Sequence, residues 1–204
     1  MTFPPRPFAS ASALLLCCAL LAGCASVKNP QAELFDFGLA TPAANMPALP
    51  PMALAEVSTP EWLDSPAIFY RLAYDSARQP RPYANSRWSM PPAQLFAQRL
   101  KSRIGQAGGT LLSASDGATG IPVLHLEADE ISQVFDTPER SSGLVSMRLT
   151  VLNGRRLLGQ KSFVQRAPAA SADAAGGVGA IAAASDAAIA DMLQWLSSLG
   201  LRAP

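Results

Sequence analysis

The sequence contains few of the residue types that form catalytic and metal sites. It has three cysteines and one histidine, His125, in 204 residues. All three cysteines, Cys17, Cys18 and Cys24, lie near the N-terminus within ALLLCCALLAGCAS, residues 13–26. A single histidine excludes a histidine-rich metal site, and the chain after residue 24 has no thiol for a nucleophile, a disulfide or a thiolate metal site.

A long hydrophobic run is also missing. The N-terminal apolar run, Ala11–Leu21, is much shorter than the roughly 20 residues that span a bilayer. One basic residue, Arg6, precedes it and small residues follow it, an order that predicts a secretory signal peptide. Leu21-Ala22-Gly23-Cys24 resembles the bacterial lipobox, in which cleavage precedes a cysteine that carries a diacylglycerol on its sulfur.

The lipobox predicts a cleaved signal peptide over residues 1–23 and lipidation of Cys24, with an ordinary cleaved signal peptide as the alternative. Residue 25 is Ala rather than the Asp that retains lipoproteins at the inner membrane in enteric bacteria. This favours the outer membrane, with the protein on its periplasmic face. Two or three acyl chains hold a protein there firmly, whereas one binds only marginally.

Neither sign of charge dominates the sequence. Without Arg6, 15 basic and 15 acidic residues remain. Nucleic-acid binding needs a basic face, and attraction to anionic lipid needs a polybasic segment. The balanced charge argues against both.

Prolines are concentrated in the first half of the chain, where 14 of the 18 precede residue 93. They predict irregular structure with short strands between rigid turns. We expect a tether over 24–32 and then a single domain over 33–204. The predicted elements of the first half are short strands at 32–39, 52–57 and 67–74, a stiff connector at 41–51 and a long loop at 76–92.

The second half carries clearer periodicity. A helix is predicted over 91–107, with Phe96, Leu100 and Ile104 on its apolar face and Arg99, Lys101 and Ser102 facing water. Further strands are predicted over 110–114, 121–135 and 145–151, and a long helix over 172–199. The apolar stripe of that helix comprises Val178, Ile181, Ser185, Ile189, Met192, Leu196 and Leu199.

Asn153-Gly154 predicts a hairpin turn after the strand at 145–151. A two-residue loop would place Val145 opposite Ser162, and a bulged three-residue loop would place it opposite Phe163. We favour the bulged register because it buries Phe163. The predicted fold class is α/β, a single compact domain with a mixed, mostly antiparallel sheet packed by two main helices, at about 91–107 and 172–199.

Candidate motifs for chemistry have simpler structural interpretations. GGVGAIA, residues 176–182, matches a dinucleotide-binding pattern but follows a loop rather than a strand, so small residues for close helix packing are favoured. His125 lies mid-strand with no serine elbow nearby in sequence and is expected to face solvent. Glu127, Asp129, Glu130 and Asp136 follow strand spacing, which favours a solvated face over a calcium site.

Trp88 does not belong to any periodic apolar pattern. It either caps the core beneath the first helix, which is the favoured interpretation, or anchors a partner. With Tyr83 and Arg87 it forms the candidate partner interface, because these residue types are enriched among interface anchors. No catalytic residue, cofactor or metal site is predicted.

Five stretches resemble the ABC-type transport auxiliary lipoproteins, the family that includes the lipoprotein of the paraquat-inducible intermembrane transport system. The most specific are a tryptophan followed by a proline pair and an amphipathic helix, and an Ala-Gly-Gly helix that ends in Trp195. Phe35 and Phe37 stand where family members often have tyrosines. The stretches are FDFGL (35–39), EWLDSPAIFYRL (61–72), PYANSRWSMPPAQLFAQRL (82–100), QVFDTPERSSGLVSMRLTV (133–151) and DAAGGVGAIAAASDAAIADMLQWL (173–196).

The resemblance implies a compact α/β domain on an outer-membrane lipoprotein that works with an MCE-domain protein and an inner-membrane permease. Such systems move phospholipid or other hydrophobic molecules between the two membranes, and some members form homo-oligomeric rings. It implies no catalytic residue and no cofactor. An envelope lipoprotein hydrolase and a structural envelope lipoprotein are the alternatives.

Overall fold

The structure is a computed structural model that describes residues 31–40 and 49–201. In these residues eight strands form one mixed sheet, and two α-helices pack against it. The strands are β1 (Glu33–Phe35), β2 (Met52–Leu54), β3 (Ala67–Leu72), β4 (Ser76–Trp88), β5 (Leu111–Ser113), β6 (Val123–Thr137), β7 (Arg140–Asn153) and β8 (Arg156–Pro168). The helices are α1 (Pro92–Gln106) and α2 (Ala174–Ser198), and short 3-10 helices cover Glu61–Leu63 and Ala114–Asp116. This architecture confirms the predicted fold class.

Strand β6 is the centre of the sheet. Along one side it pairs antiparallel with β7, and β7 pairs antiparallel with β8. On its other side, the first part of β6 pairs parallel with β2 and the last part pairs parallel with β3. Two branches therefore leave this side of β6, one continuing to β5 and the other through β4 to β1.

The alternation predicted for β7 is confirmed. Val145, Met147, Leu149 and Val151 are fully buried, whereas the residues between them are only partly buried. A hairpin turn follows this strand as predicted, but one residue later than predicted, with Gly154 in the left-handed region at φ 58°. Phe163 is buried as expected, but both predicted registers are wrong, because Val145 pairs with Gln165.

The register differs for a physical reason. The loop is Gly154-Arg155, one position later than Asn153-Gly154, and Asn153 pairs with Arg156. A further irregularity between Val151 and Leu152 adds one residue on β8. The later loop moves the partner of Val145 by two residues and the irregularity moves it by one more, from Ser162 to Gln165. Relative to the favoured bulged register the shift is two residues, which keeps Phe163 on the buried face opposite Met147.

Helix α1 lies within one residue of its predicted bounds. Pro92 occupies its first turn, where the missing N–H has no helical acceptor, and Gly108 follows its end with φ 76°. Phe96, Leu100 and Ile104 are fully buried. The prediction that Arg99 faces water is wrong, because its side chain lies against α2 and is almost fully buried.

Helix α2 confirms the predicted stripe up to Leu196, with Val178, Ile181, Ser185, Ile189, Met192 and Leu196 all buried. Leu199 follows the last helical residue and is only partly buried. Among the described residues it is the one helix long and apolar enough to cross a membrane. However, 61% of its apolar 18-residue segment is buried within the domain. The helix packs against β7 and β8 through the same apolar stripe. It is a core helix of this domain.

The long loop predicted at 76–92 is wrong. Ser76–Trp88 is strand β4, antiparallel to β3, and its last three residues also pair with β1. Pro80 and Pro82 lie in the part with one neighbouring strand, beside a ladder interrupted by register shifts. A proline needs no N–H partner at such edges and irregularities, so the two prolines of Ser76–Trp88 did not prevent a strand.

The remaining strands of the first half exist but are shorter than predicted. Three-residue strands stand at 33–35 and 52–54, and the strand predicted at 67–74 ends at Leu72. Residues 41–48 of the expected connector, and all of the predicted signal peptide and lipobox, lie outside the described residues.

Candidate functional site

Tyr83, the first residue of the predicted partner interface, is half-buried in β4. Its hydroxyl donates a hydrogen bond of 2.8 Å to Oε1 of Gln133 on β6, and its ring centroid lies 4.8 Å from that of Tyr70. Burial, together with the neighbouring Tyr70, raises the pKa of the Tyr83 hydroxyl. The side chain is therefore held by its own domain as a neutral hydrogen-bond donor.

Arg87 and Trp88 are also engaged within the domain. The guanidinium of Arg87 donates to the backbone carbonyls of Tyr83 and Ser86, the latter at 2.9 Å. Trp88 is 1% exposed and makes an edge-on contact with Phe37 at 5.5 Å between ring centroids. The core interpretation of Trp88 is confirmed, so Tyr83 and Arg87 alone remain accessible in part.

A buried polar network lies where β6, β7 and the start of α2 meet. Gln133 is fully buried, and both ends of its amide are satisfied, because Nε2 donates to Oγ of Ser141 at 2.7 Å. Gly177 of α2 covers this amide so closely that an added Cβ would lie 2.0 Å from Oε1 of Gln133. At Gly143 of β7 a Cβ would lie 2.3 Å from the backbone nitrogen of Ile181.

These contacts explain the glycine pair that resembled a nucleotide-binding pattern. Gly176 and Gly177 are buried in the first turns of α2, and Asp173 caps the helix by accepting from Gly176 N–H at 2.8 Å. The glycines permit close approach of helix and sheet, as the packing interpretation predicted. Gln133, a polar residue that is buried together with its neighbours in β6, was not identified from the sequence.

The ionisable groups outside this network pair on the sheet surface. His125 is exposed on β6, as predicted. Glu130 forms a two-pronged ion pair with Arg71, and Glu127 pairs with Arg148 at 3.1 Å. No group of three potential metal ligands occurs among the described residues. Glu127 and Glu130 thus have arginines as their partners, and Glu130 is largely buried in its ion pair.

An ionic cluster joins the two helices. Asp186 of α2 lies 3.0 Å from Nη2 of Arg103 and 3.6 Å from Nε of Arg99, and both arginines are almost fully buried. Arg99 also donates to the backbone carbonyl of Phe37. The cluster fixes α1 against α2 and holds the chain after β1 in place. Its sequence signal was the spacing of four between Arg99 and Arg103, which turns both toward the buried side.

An open groove runs along the other flank of α1. It has a volume of about 600 Å³ and continues into a second cleft of about 440 Å³, with which it shares Glu56, Val57, Ala97 and Gln98. Its apolar lining comes from the ends of β2 and β5, including Leu54, Leu111 and Leu112, and Lys101 and Glu56 also line it. A concave surface of this kind suits an apolar ligand or an inserted side chain. No local pattern in the sequence predicts this groove, since its walls come from three separate elements.

Comparison with solved structures finds the same fold in proteins of distant sequence. A crystal structure of a Xanthomonas campestris protein of family DUF330 superimposes with a TM-score of 0.67 at 15% identity, covering 84% of this chain and 94% of that one. A second crystal structure, of an uncharacterized protein, gives a TM-score of 0.63 at 13% identity, covering 81% of this chain and 98% of that one. No curated protein matches the sequence.

The family model of the ABC-type transport auxiliary lipoprotein component matches residues 37–193. The match begins at Phe37, which packs on Trp88, and ends within α2, so it contains the polar network and the ionic cluster. It also contains the tryptophan, proline-pair and Ala-Gly-Gly features that carried the resemblance. The chain belongs to the family of ABC-type transport auxiliary lipoprotein components.

Proposed function

We propose that this protein is a non-enzymatic, periplasmic lipoprotein, anchored in the outer membrane, that serves an MCE/ABC-type intermembrane lipid transport system. The family match over residues 37–193 is the observation that carries the proposal. The lipobox-like sequence before Cys24 supports the anchor, and Ala25 supports the outer membrane. Its proposed partners are the MCE-domain periplasmic protein and the inner-membrane permease of the same system.

The anchor is tested by acyl labelling of the full chain. Cys24→Ala should abolish labelling with palmitate and release the protein from membranes, because Cys24 is the cysteine of the lipobox-like sequence. Cys18→Ala is the matched control, since it removes a cysteine six residues earlier in the predicted signal peptide and should leave labelling intact. Continued labelling of the Cys24 variant would contradict the anchor.

The membrane of residence is tested separately. Ala25→Asp introduces the residue that favours inner-membrane retention in enteric bacteria, so the lipidated variant should move to the inner-membrane fraction in such a host. The wild-type protein should sediment with outer membrane in the same gradient. A wild-type chain already found in the inner membrane would overturn the proposed location while leaving family membership intact.

The proposed contact with the MCE-domain protein is tested by co-purification. Strand β4 is the proposed contact, because Tyr83 and Arg87 are partly exposed there and residues 76–85 have one neighbouring strand. Arg87→Ala should weaken co-purification, whereas Arg140→Ala, an exposed arginine at the start of β7, is the matched control and should leave it unchanged. Failure of the wild-type chain to bind the MCE-domain protein at low and moderate salt would count against the transport role itself.

A further inference from the structure

Strand β8 forms a long open edge of the sheet. Its 13 residues, Arg156–Pro168, pair with β7 alone among the described residues. An edge strand presents unpaired N–H and C=O groups on its free side, which makes it a template for another strand. The other ends of the sheet, β1 and β5, are strands of three residues each.

The edge has one sign of charge. Four of the 16 basic residues, Arg155, Arg156, Lys161 and Arg166, lie between Gly154 and Ala172, and none of the 15 acidic residues does. Asp191 of α2 reaches the strand, where it accepts a hydrogen bond of 2.6 Å from Gln165. The edge is therefore a basic strip on a chain whose net charge is only +1.

Exposed apolar side chains interrupt the basic residues. Val164 and Leu157 are 60% and 59% exposed, which makes them two of the most exposed large apolar residues described. They stand opposite Ser146 and Leu152 of β7, on the other face of the sheet from the one that buries Met147 and Phe163. An added strand would contact both side chains while its backbone pairs with the edge.

We propose that β8 binds an extended, acidic segment of a partner protein as an additional strand of the sheet. The free backbone groups specify an extended chain, since main-chain pairing supplies affinity in this mode of recognition. The absence of acids from 154–172 specifies an acidic one. Two copies of β8 would bring like charges together, and a membrane surface cannot pair with the edge backbone.

The probe is a capped synthetic peptide of alternating valine and glutamate, matched in length to β8. It is titrated into the mature chain carrying Cys24→Ala, whose hydrophobic core lies entirely between Phe35 and Leu201. We expect saturable binding by fluorescence anisotropy that weakens as salt rises. Hydrogen exchange should show new protection in β8. A peptide with lysine in place of glutamate should not bind.

Charge reversal on the edge gives the matched variants. Arg156→Glu with Lys161→Glu, both exposed, should weaken peptide binding by about tenfold. Arg78→Glu with Lys101→Glu changes the net charge equally at exposed positions of β4 and α1 and should leave binding unchanged. Circular dichroism checks that each pair retains the fold.

Three results would overturn the proposal. The first is equal binding of the lysine peptide, or binding unaffected by the β8 variants. The second is pairing of β8 with a second copy of the chain. It would be seen as rapid formation of a disulfide-linked dimer when the Val164→Cys variant is oxidised without peptide. The third is binding of the wild-type chain to phosphatidylglycerol vesicles that the β8 variants lose, when the peptide gives β8 no protection from hydrogen exchange. All three leave the acyl-labelling and MCE co-purification tests unaffected.

Discussion

Tyr83 and Gln133, fifty positions apart in the chain, are joined by a hydrogen bond of 2.8 Å from the tyrosine hydroxyl to the glutamine Oε1. The glutamine is fully buried, and its Nε2 donates to Ser141. Without the tyrosine, a buried amide oxygen would lose its side-chain donor. A residue selected from the sequence as a surface anchor therefore also stabilises the interior.

Tyr83→Phe should lower the free energy of unfolding by about 1–3 kcal/mol, because it removes one partner of a buried hydrogen bond and keeps the ring. Urea denaturation measures the loss. Tyr74→Phe is the matched control, since Tyr74 is 49% exposed and should tolerate the change. Equal stabilities of the Tyr83 variant and wild type would mean that Gln133 finds another donor.

Gly177→Ala and Gly179→Ala should change stability in opposite directions although they lie two residues apart in α2. At Gly177 a Cβ would lie 2.0 Å from Gln133, whereas at Gly179 nothing lies within 4 Å. Overpacking should cost about 1–3 kcal/mol at the first site. Alanine at the exposed second site should stabilise the helix by about 0.5–1 kcal/mol. Thermal unfolding of both variants decides the matter, and a stabilised Gly177→Ala would place the helix farther from β6.

The periodicity of apolar residues in the sequence predicted the elements that bury one regular row of side chains. Strand β7 and helix α2 follow it closely, because each turns one row of side chains toward a continuous core. Strand β4 does not, since its composition is that of a loop and its order comes from pairing with β3 and β1. Pairing between strands that are distant in the sequence leaves no local pattern. The high proline content of this segment therefore led to the prediction of a loop.

The charged residues show the same limit. Arg99 was expected to face water, because an isolated helix gives no reason to bury a guanidinium. The reason is Asp186, which lies 87 positions later on α2 and forms ion pairs with both Arg99 and Arg103. The apolar groove along α1 was equally invisible. Trp88 could be assigned to the core from sequence because of its size and its position directly before α1, although its contact with Phe37 could not be predicted.

Ser185 lies on the buried stripe of α2, with its side chain fully enclosed and its hydroxyl without a hydrogen-bond partner among the described residues. Ser185→Leu should destabilise the domain by about 1–3 kcal/mol through overpacking. Ser185→Ala should match wild type or exceed it, because it removes an unpaired buried hydroxyl. Melting temperatures of the two variants provide the test. A neutral leucine variant would show that the contact between α2 and the sheet has spare volume.

The N-cap of α2 should make stability depend on acid pH. The pKa of Asp173 is lowered from its ordinary value of 3.8, chiefly because its carboxylate accepts the Gly176 N–H and also a hydrogen bond from Ser171. The folded chain thus binds fewer protons than the unfolded chain at pH values just below 3.8. The charged cap therefore stabilises the fold above that value, and its contribution is lost as the pH falls through the lowered pKa.

Asp173→Asn keeps a good capping residue without the charge, so its melting temperature should fall below that of wild type at neutral pH and converge with it in acid. Asp173→Ala, which lacks the cap altogether, should remain less stable than the asparagine variant at every pH. A difference between wild type and Asp173→Asn that stays constant from neutral pH into acid would contradict the assignment of the charge effect to this carboxylate.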